Sequence, residues 1–255
     1  MLATLSAAFA NVSIWQLLLV AGVALFASVL GGVAGYGTGA LMPLILVPMV
    51  GAENVVPIIA IAGLLTNTGR VFAYLKQVDW QKVWIVSLGA IPFCMVTAYG
   101  YTLLTGKGAQ ILIGVMLMLT VPLRYVMRKR AIVLDNKGLF FGAVAYGTVM
   151  GGTVGAGVIL LSVLMASGLV GAAVIATDAV ISITTGIARI SVFGVAGAVT
   201  IQTLAFAALI GCIAFPGAFL ARAFVERLPV HIHTAILDAV VLIGGLVMVI
   251  GAFTR

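Results

Sequence analysis

Charge is what this chain lacks. Only 7% of its 255 residues are Asp, Glu, Lys or Arg, while 64% are hydrophobic; a soluble domain of this size carries about 25% charged residues. That composition excludes a water-soluble surface and points to lipid. Cysteine is almost absent as well. Cys94 and Cys212 each stand alone in an apolar run, with no C-x-x-C and no ligand cluster nearby, which removes a disulfide framework and a metal site and leaves no cofactor to expect. Both are read as buried small hydrophobes. The first 30 residues contain no Lys or Arg, so the charged n-region of a cleaved signal peptide is missing, and the run from Trp15 onward is expected to be a retained span. The net charge of +7 rests on few basic residues, placed mostly at the ends of apolar runs. This is a topology signal rather than a nucleic-acid surface.

Reading apolar runs against breaks gives five segments on each side of the charged stretch Arg124 to Lys137: 14–34, 38–50, 53–75, 80–104 and 107–127, then 138–155, 156–169, 170–193, 198–224 and 230–253. The expected fold is an all-α polytopic membrane protein of eight to ten segments. Two of them, 38–50 and 156–169, are shorter than the ~20 residues that cross the hydrocarbon core, and each follows a glycine cluster. They read as half-helices, either broken or re-entrant at the glycines.

The halves resemble each other. Gly31, Gly32, Gly35 and Gly37 match Gly151, Gly152, Gly155 and Gly157 at a displacement of 120, and Arg70 matches Arg189 at 119. The expected organisation is a first transmembrane repeat over 1–127, a basic linker over 128–137 and a second repeat over 138–255. The linker region is the most positive in the chain and should be cytoplasmic. An odd number of crossings per half keeps Lys76, Lys82, Arg222 and Arg227 inside and the charge-free turn near Gly197 outside, so the second repeat is inverted relative to the first. Inverted repeats with broken helices at mid-membrane are a recurrent transporter construction.

Glycine clusters mark the candidate site, because non-helical backbone survives in a bilayer only where protein or a water-filled cavity satisfies its polar groups. Gly35-Tyr-Gly37-Thr38-Gly39 leads into one short segment and Gly151-Gly152-Thr153-Val-Gly155-Ala-Gly157 into the other. Each helix start presents free N–H groups and a positive dipole end, which suit an anion. Asp178, Ser182, Thr185 and Arg189 follow at spacings of 4, 3 and 4, one stripe of a helix, and Thr66, Asn67 and Arg70 form a shorter version in the first half. Ionisable residues inside a span are costly and are functional candidates by default. Asp178 lies too far along its helix from Arg189 to pair with it and is left to pair elsewhere or take up a proton; Asp238, on a face with His231 and Thr234, is a second proton-coupling candidate.

These motifs carry a resemblance. LGGVAGYGTGALMPLILVP and TNTGRVFAYLKQVDW, with the fainter GGTVGAGVILL and TTGIARI, resemble the sulfite exporter TauE/SafE family, also called the sulfonate uptake permease family. The resemblance runs from about Trp15 to Gly251. Thr38 interrupts the glycine run of the first motif, and Val158 stands where the second has a glycine. The resemblance implies a multi-pass protein of the bacterial inner membrane that moves sulfite, sulfoacetate or another organosulfonate. Gly35, Gly37, Thr38, Gly39, Thr66, Asn67, Arg70, Gly152, Thr153, Gly155, Gly157, Thr185 and Arg189 would then bind the anion, with a proton or sodium ion for coupling, no catalysis, and room for a homo-oligomer. Two other readings stand beside it: a membrane thiol–disulfide electron carrier and a non-transporting anchor subunit.

Overall fold

The computed structural model describes residues 9, 12–34, 37–129, 133–217, 219–220 and 230–254; for 30–34, 124, 127–129 and 230–237 it describes backbone alone. Ten α-helices have described bounds among these residues: α1 (Ile14–Ala34), α2 (Gly37–Val50), α3 (Ala52–Tyr74), α4 (Trp80–Thr102), α5 (Gly106–Lys129), α6 (Asn136–Gly152), α7 (Gly157–Ala166), α8 (Ala172–Val195), α9 (Ile201–Ala214) and α10 (Val230–Thr254), and Gly217, Phe219 and Leu220 are helical as well. A short 3-10 turn, Leu75–Gln77, follows α3. Among the described residues there is no strand, as lipid requires of a chain that does not close a barrel. The long helices α3, α4, α5 and α8 supply four stretches long and apolar enough to span a membrane.

Local chemistry sets the ends. Asp79 caps α4 by accepting from the Lys82 N–H, Asp135 caps α6 by accepting from the Gly138 N–H, and Thr200 and Thr203 form a reciprocal capping box on α9. Gly51 and Gly171, at φ 81° and 57°, make the reversals before α3 and α8, a conformation that costs other residues a Cβ clash. The expected segment 198–224 differs: α9 stops at Ala214, Phe215 and Pro216 form a turn, and Phe219 and Leu220 donate back to the Pro216 carbonyl. Proline cannot donate the next helical hydrogen bond, so the run is broken there.

The central pair is α3 and α8, which lie against each other antiparallel: Gly186 packs on Leu64, and Asp178 meets Arg70. α4 packs along α8 in the same direction, with the Asp79 N–H donating to Thr177 Oγ1, Ser87 Oγ bonded to Thr184 Oγ1 at 2.9 Å, and Tyr101 stacked edge-on against Phe193. α9 packs on α3, and α5 packs on α10 through the facing backbones of Gly114 and Gly245. The Leu134 N–H donates to the Ala166 carbonyl at 2.8 Å, so the chain entering α6 and the chain leaving α7 lie side by side on the end of the molecule that also bears Asp79 and Lys82. Glu53, Tyr101 and Gly106 gather at the opposite end, where Tyr101 OH donates to the Ala52 carbonyl.

The α4–α6 contact is the closest of all, because small residues let the backbones touch. A Cβ on Gly147 would run into the Ala90 backbone, and one on Gly151 into the Cys94 carbonyl; Gly100, on the outer face of α4, has nothing within 4 Å. Glycine within a helix is ordinarily about 0.5–1 kcal/mol worse than alanine. Gly100→Ala should therefore hold or raise the melting temperature in detergent. Gly151→Ala should lower it, by an overpacking cost of about 1–3 kcal/mol. Equal effects of the two substitutions on thermal unfolding would contradict this packing.

Candidate functional site

The two glycine clusters meet. A Cβ on Gly39 would come within 3.2 Å of the Gly155 backbone nitrogen, and Gly155 itself, at φ +82°, sits over Thr120 and Leu117 of α5. Only glycine allows the start of α2 to approach the link between α6 and α7 this closely while that link takes a left-handed turn. Gly37, Thr38 and Gly39 form the first turn of α2, with Gly37 buried; Gly35 lies outside the described residues. Gly152 is the last residue of α6, packed on the Thr97 carbonyl.

At this junction the backbone offers donors. α7 begins at Gly157, and its first turn closes through the Gly155 and Ala156 carbonyls, which accept from Val158, Ile159 and Leu160. Among the described residues no acceptor faces the backbone N–H groups of Gly155, Ala156 and Gly157. They point where the positive end of the α7 dipole lies, an arrangement suited to negative charge.

Arg189 reaches the same junction from α8. Its Nη1 donates to the Met150 carbonyl at 2.8 Å and to the Thr153 carbonyl at 3.1 Å, its Nε is buried without a hydrogen-bond partner, and only 4% of the residue is exposed. The guanidinium thus caps the carbonyl end of α6 and still holds an unused donor. Thr153 Oγ1 donates to the Val149 carbonyl and Thr185 Oγ1 to the Ile181 carbonyl. Both hydroxyl protons are therefore committed to their own helices.

Arg70 has a different environment. Its Nη1 lies 3.7 Å from Asp178 Oδ2 and donates to Asn67 Oδ1 at 3.4 Å, while Thr66 Oγ1 donates to the Gly63 carbonyl. Arg70, Thr66 and Asp178 are all buried. Asp178 and Arg189 are separated by eleven residues of one helix, about 16 Å at 1.5 Å per residue. Since Arg70 is level with Asp178, the two arginines lie at different depths and do not converge on one point.

Thr66, Asn67 and Arg70 are thus brought to Asp178, while Thr153, Thr185, Arg189 and the glycines gather at the α6–α7 junction. Asp238 is buried on α10; the side chains of His231 and Thr234 lie outside the described residues. Cys94 is buried, its Sγ 3.8 Å from the Thr185 carbonyl, but Cys212 is exposed on α9, which corrects the expectation that both are buried. Two residues were missed from sequence. Tyr146 is fully buried with its OH 3.4 Å from Thr185 Oγ1, and Tyr101 is buried beside Phe193. The available signal was a phenol inside an apolar run, which must find a polar partner when buried.

Apolar helices of membrane-crossing length, joined by short turns and burying arginines within their spans, define a multi-pass α-helical membrane protein. The chain belongs to the sulfite exporter TauE/SafE family, whose model matches residues 20–248. That membership implies membrane export of sulfite or a related sulfur anion. No curated protein and no solved structure matches the chain.

Proposed function

We propose that this protein is a secondary permease of the bacterial inner membrane for a small sulfur-containing oxyanion, such as sulfite, sulfoacetate or another organosulfonate, working by alternating access. The observation that carries the reading is the α6–α7 junction, where the backbone N–H groups of Gly155, Ala156 and Gly157 have no acceptor among the described residues and Arg189, bonded to the Met150 and Thr153 carbonyls of the same junction, keeps its Nε unused. Converging N–H donors and a guanidinium suit an oxyanion, which offers several acceptor oxygens and charge. Gly37, Thr38 and Gly39 close the site from α2, Gly152 and Thr153 border it, and Thr185 and Arg189 reach it from α8. Arg70, with Thr66 and Asn67, forms a second station at another depth.

The inverted duplication supports this mechanism. The main helix contacts exchange among themselves when α1 to α5 are swapped for α6 to α10: α4–α6 with α1–α9, α4–α8 with α3–α9, and α5–α7 with α2–α10, while α3–α8 and α5–α10 map onto themselves. The α6–α7 hairpin, closed by Leu134 and Ala166, reads as a re-entrant pair, and α1–α2 as its counterpart. Two such halves can rock about the α3–α8 contact, exposing the site to one face and then the other. Neither 1–127 nor 138–255 closes this contact alone, and 128–137 is the cytoplasmic link between them.

The test is counterflow in proteoliposomes. Purified protein preloaded with unlabelled sulfite or sulfoacetate should take up the labelled anion well above empty liposomes, and acetate should not compete. Failure of every sulfur anion to exchange would overturn the reading. An electron carrier would instead require both thiols, so Cys94→Ala with Cys212→Ala should leave counterflow in place.

A further inference from the structure

Building on the permease reading, we propose that Asp178 holds the place of the transported anion on Arg70, so that an anion binds there only as Asp178 takes up one proton. The proton goes to the Asp178 carboxylate, the ion pair with Arg70 passes to the oxyanion, and the buried site keeps the same net charge. Without the proton, two anions would face one guanidinium in a low-dielectric interior, where unpaired charge is costly. Transport of a monovalent anion would then carry one proton with it.

The geometry is that of a replaceable ligand. Arg70 Nη1 and Asp178 Oδ2 are 3.7 Å apart, the side chains are 10% and 3% exposed, and Asp178 Oδ1 has no hydrogen-bond partner. A carboxylate placed for stability on an arginine would accept the planar fork of two short hydrogen bonds. Here it accepts none, and Arg70 spends a donor on Asn67 instead.

The two halves differ at this point. Arg189, which matches Arg70 at a displacement of 119, is met by main-chain carbonyls, and the position matching Asp178 by the same displacement is Ile59. Burial of the arginine alone therefore does not call for a carboxylate. The other titratable groups around Asp178 leave it as the exchangeable one. From α3 come Arg70 and Tyr74, and the 3-10 turn offers Lys76, which is exposed. Ahead of and within α4 are Asp79, already paired with Lys82 at 3.5 Å, and Cys94, turned to Thr185. Tyr146 enters from α6 and bonds to Thr185, α7 carries no titratable residue, and Arg189 lies eleven residues along α8.

The test uses the full chain. In weakly buffered detergent, binding of methanesulfonate, a monovalent organosulfonate, by the wild type should take up about one proton per anion bound, read with a pH indicator, and sulfite should do so after a protein-free titration is subtracted. In proteoliposomes an acidic exterior should drive accumulation about tenfold per pH unit, the gain for one proton per anion. Asp178→Asn should bring proton uptake per bound anion to zero. Anion binding by the wild type without proton uptake, or unchanged proton uptake in Asp178→Asn, overturns the proposal. If Asp178→Asn fails to fold, the wild-type stoichiometry decides alone. Counterflow by a protein that binds the anion with no proton uptake leaves the permease standing and removes this coupling; absence of counterflow removes both.

Discussion

Arg189→Ala should weaken binding of sulfite or sulfoacetate on the order of 100-fold, since a hydrogen bond to a charged group is worth about 1.5–3 kcal/mol and each 1.4 kcal/mol is tenfold. The guanidinium brings its charge to a junction where the Gly155, Ala156 and Gly157 N–H groups already face no acceptor among the described residues. It also caps the Met150 and Thr153 carbonyls, so loss of function must be separated from loss of fold. Equilibrium binding by purified, monodisperse variant does this, with the exposed Lys137→Ala as control. Arg189→Lys should recover only part of the affinity, because an ammonium can meet the carbonyls or the anion but cannot span both as a planar fork does. If Arg189→Ala stays folded and binds as tightly as the control, the arginine is a helix cap and the amides hold the anion without it.

Most of the helix boundaries were legible, because a bilayer demands long apolar runs and the breaks fall at glycine, proline and capping residues. The segments expected at 14–34 and 230–253 return as Ile14–Ala34 and Val230–Thr254. The run 198–224 was misread because hydropathy does not register the turn that Pro216 imposes. The glycine clusters were legible as breaks, but not their meeting at Gly39 and Gly155, which depends on how α2 is folded back toward the α6–α7 link. The arginines were legible as costly residues that would need partners. Their separation was not. Sequence equivalence suggests a shared ligand, whereas α3 and α8 run antiparallel, which carries matching positions to opposite ends of the pair. The Arg70–Asp178 contact joins residues 108 positions apart, and only the packing of those two helices creates it.

That packing makes a second large effect measurable. Arg70→Ala leaves the Asp178 carboxylate buried without its counter-charge, and Asp178→Ala does the same to Arg70; breaking one side of a buried pair typically costs about 3–5 kcal/mol. The double variant, Arg70→Ala with Asp178→Ala, strands neither charge. Its cost should be well below the sum of the singles, leaving the packing lost at the two buried positions. Thermal or denaturant unfolding in detergent reads the three differences, with Gly100→Ala as a substitution on the same scaffold that meets no neighbour. Additive losses would mean that Arg70 and Asp178 do not neutralise each other and that the 3.7 Å approach carries no energy. A double variant that regains stability but still fails in counterflow is the expected result, because the pair's charge can be dispensed with for folding while Arg70 is needed to receive the anion.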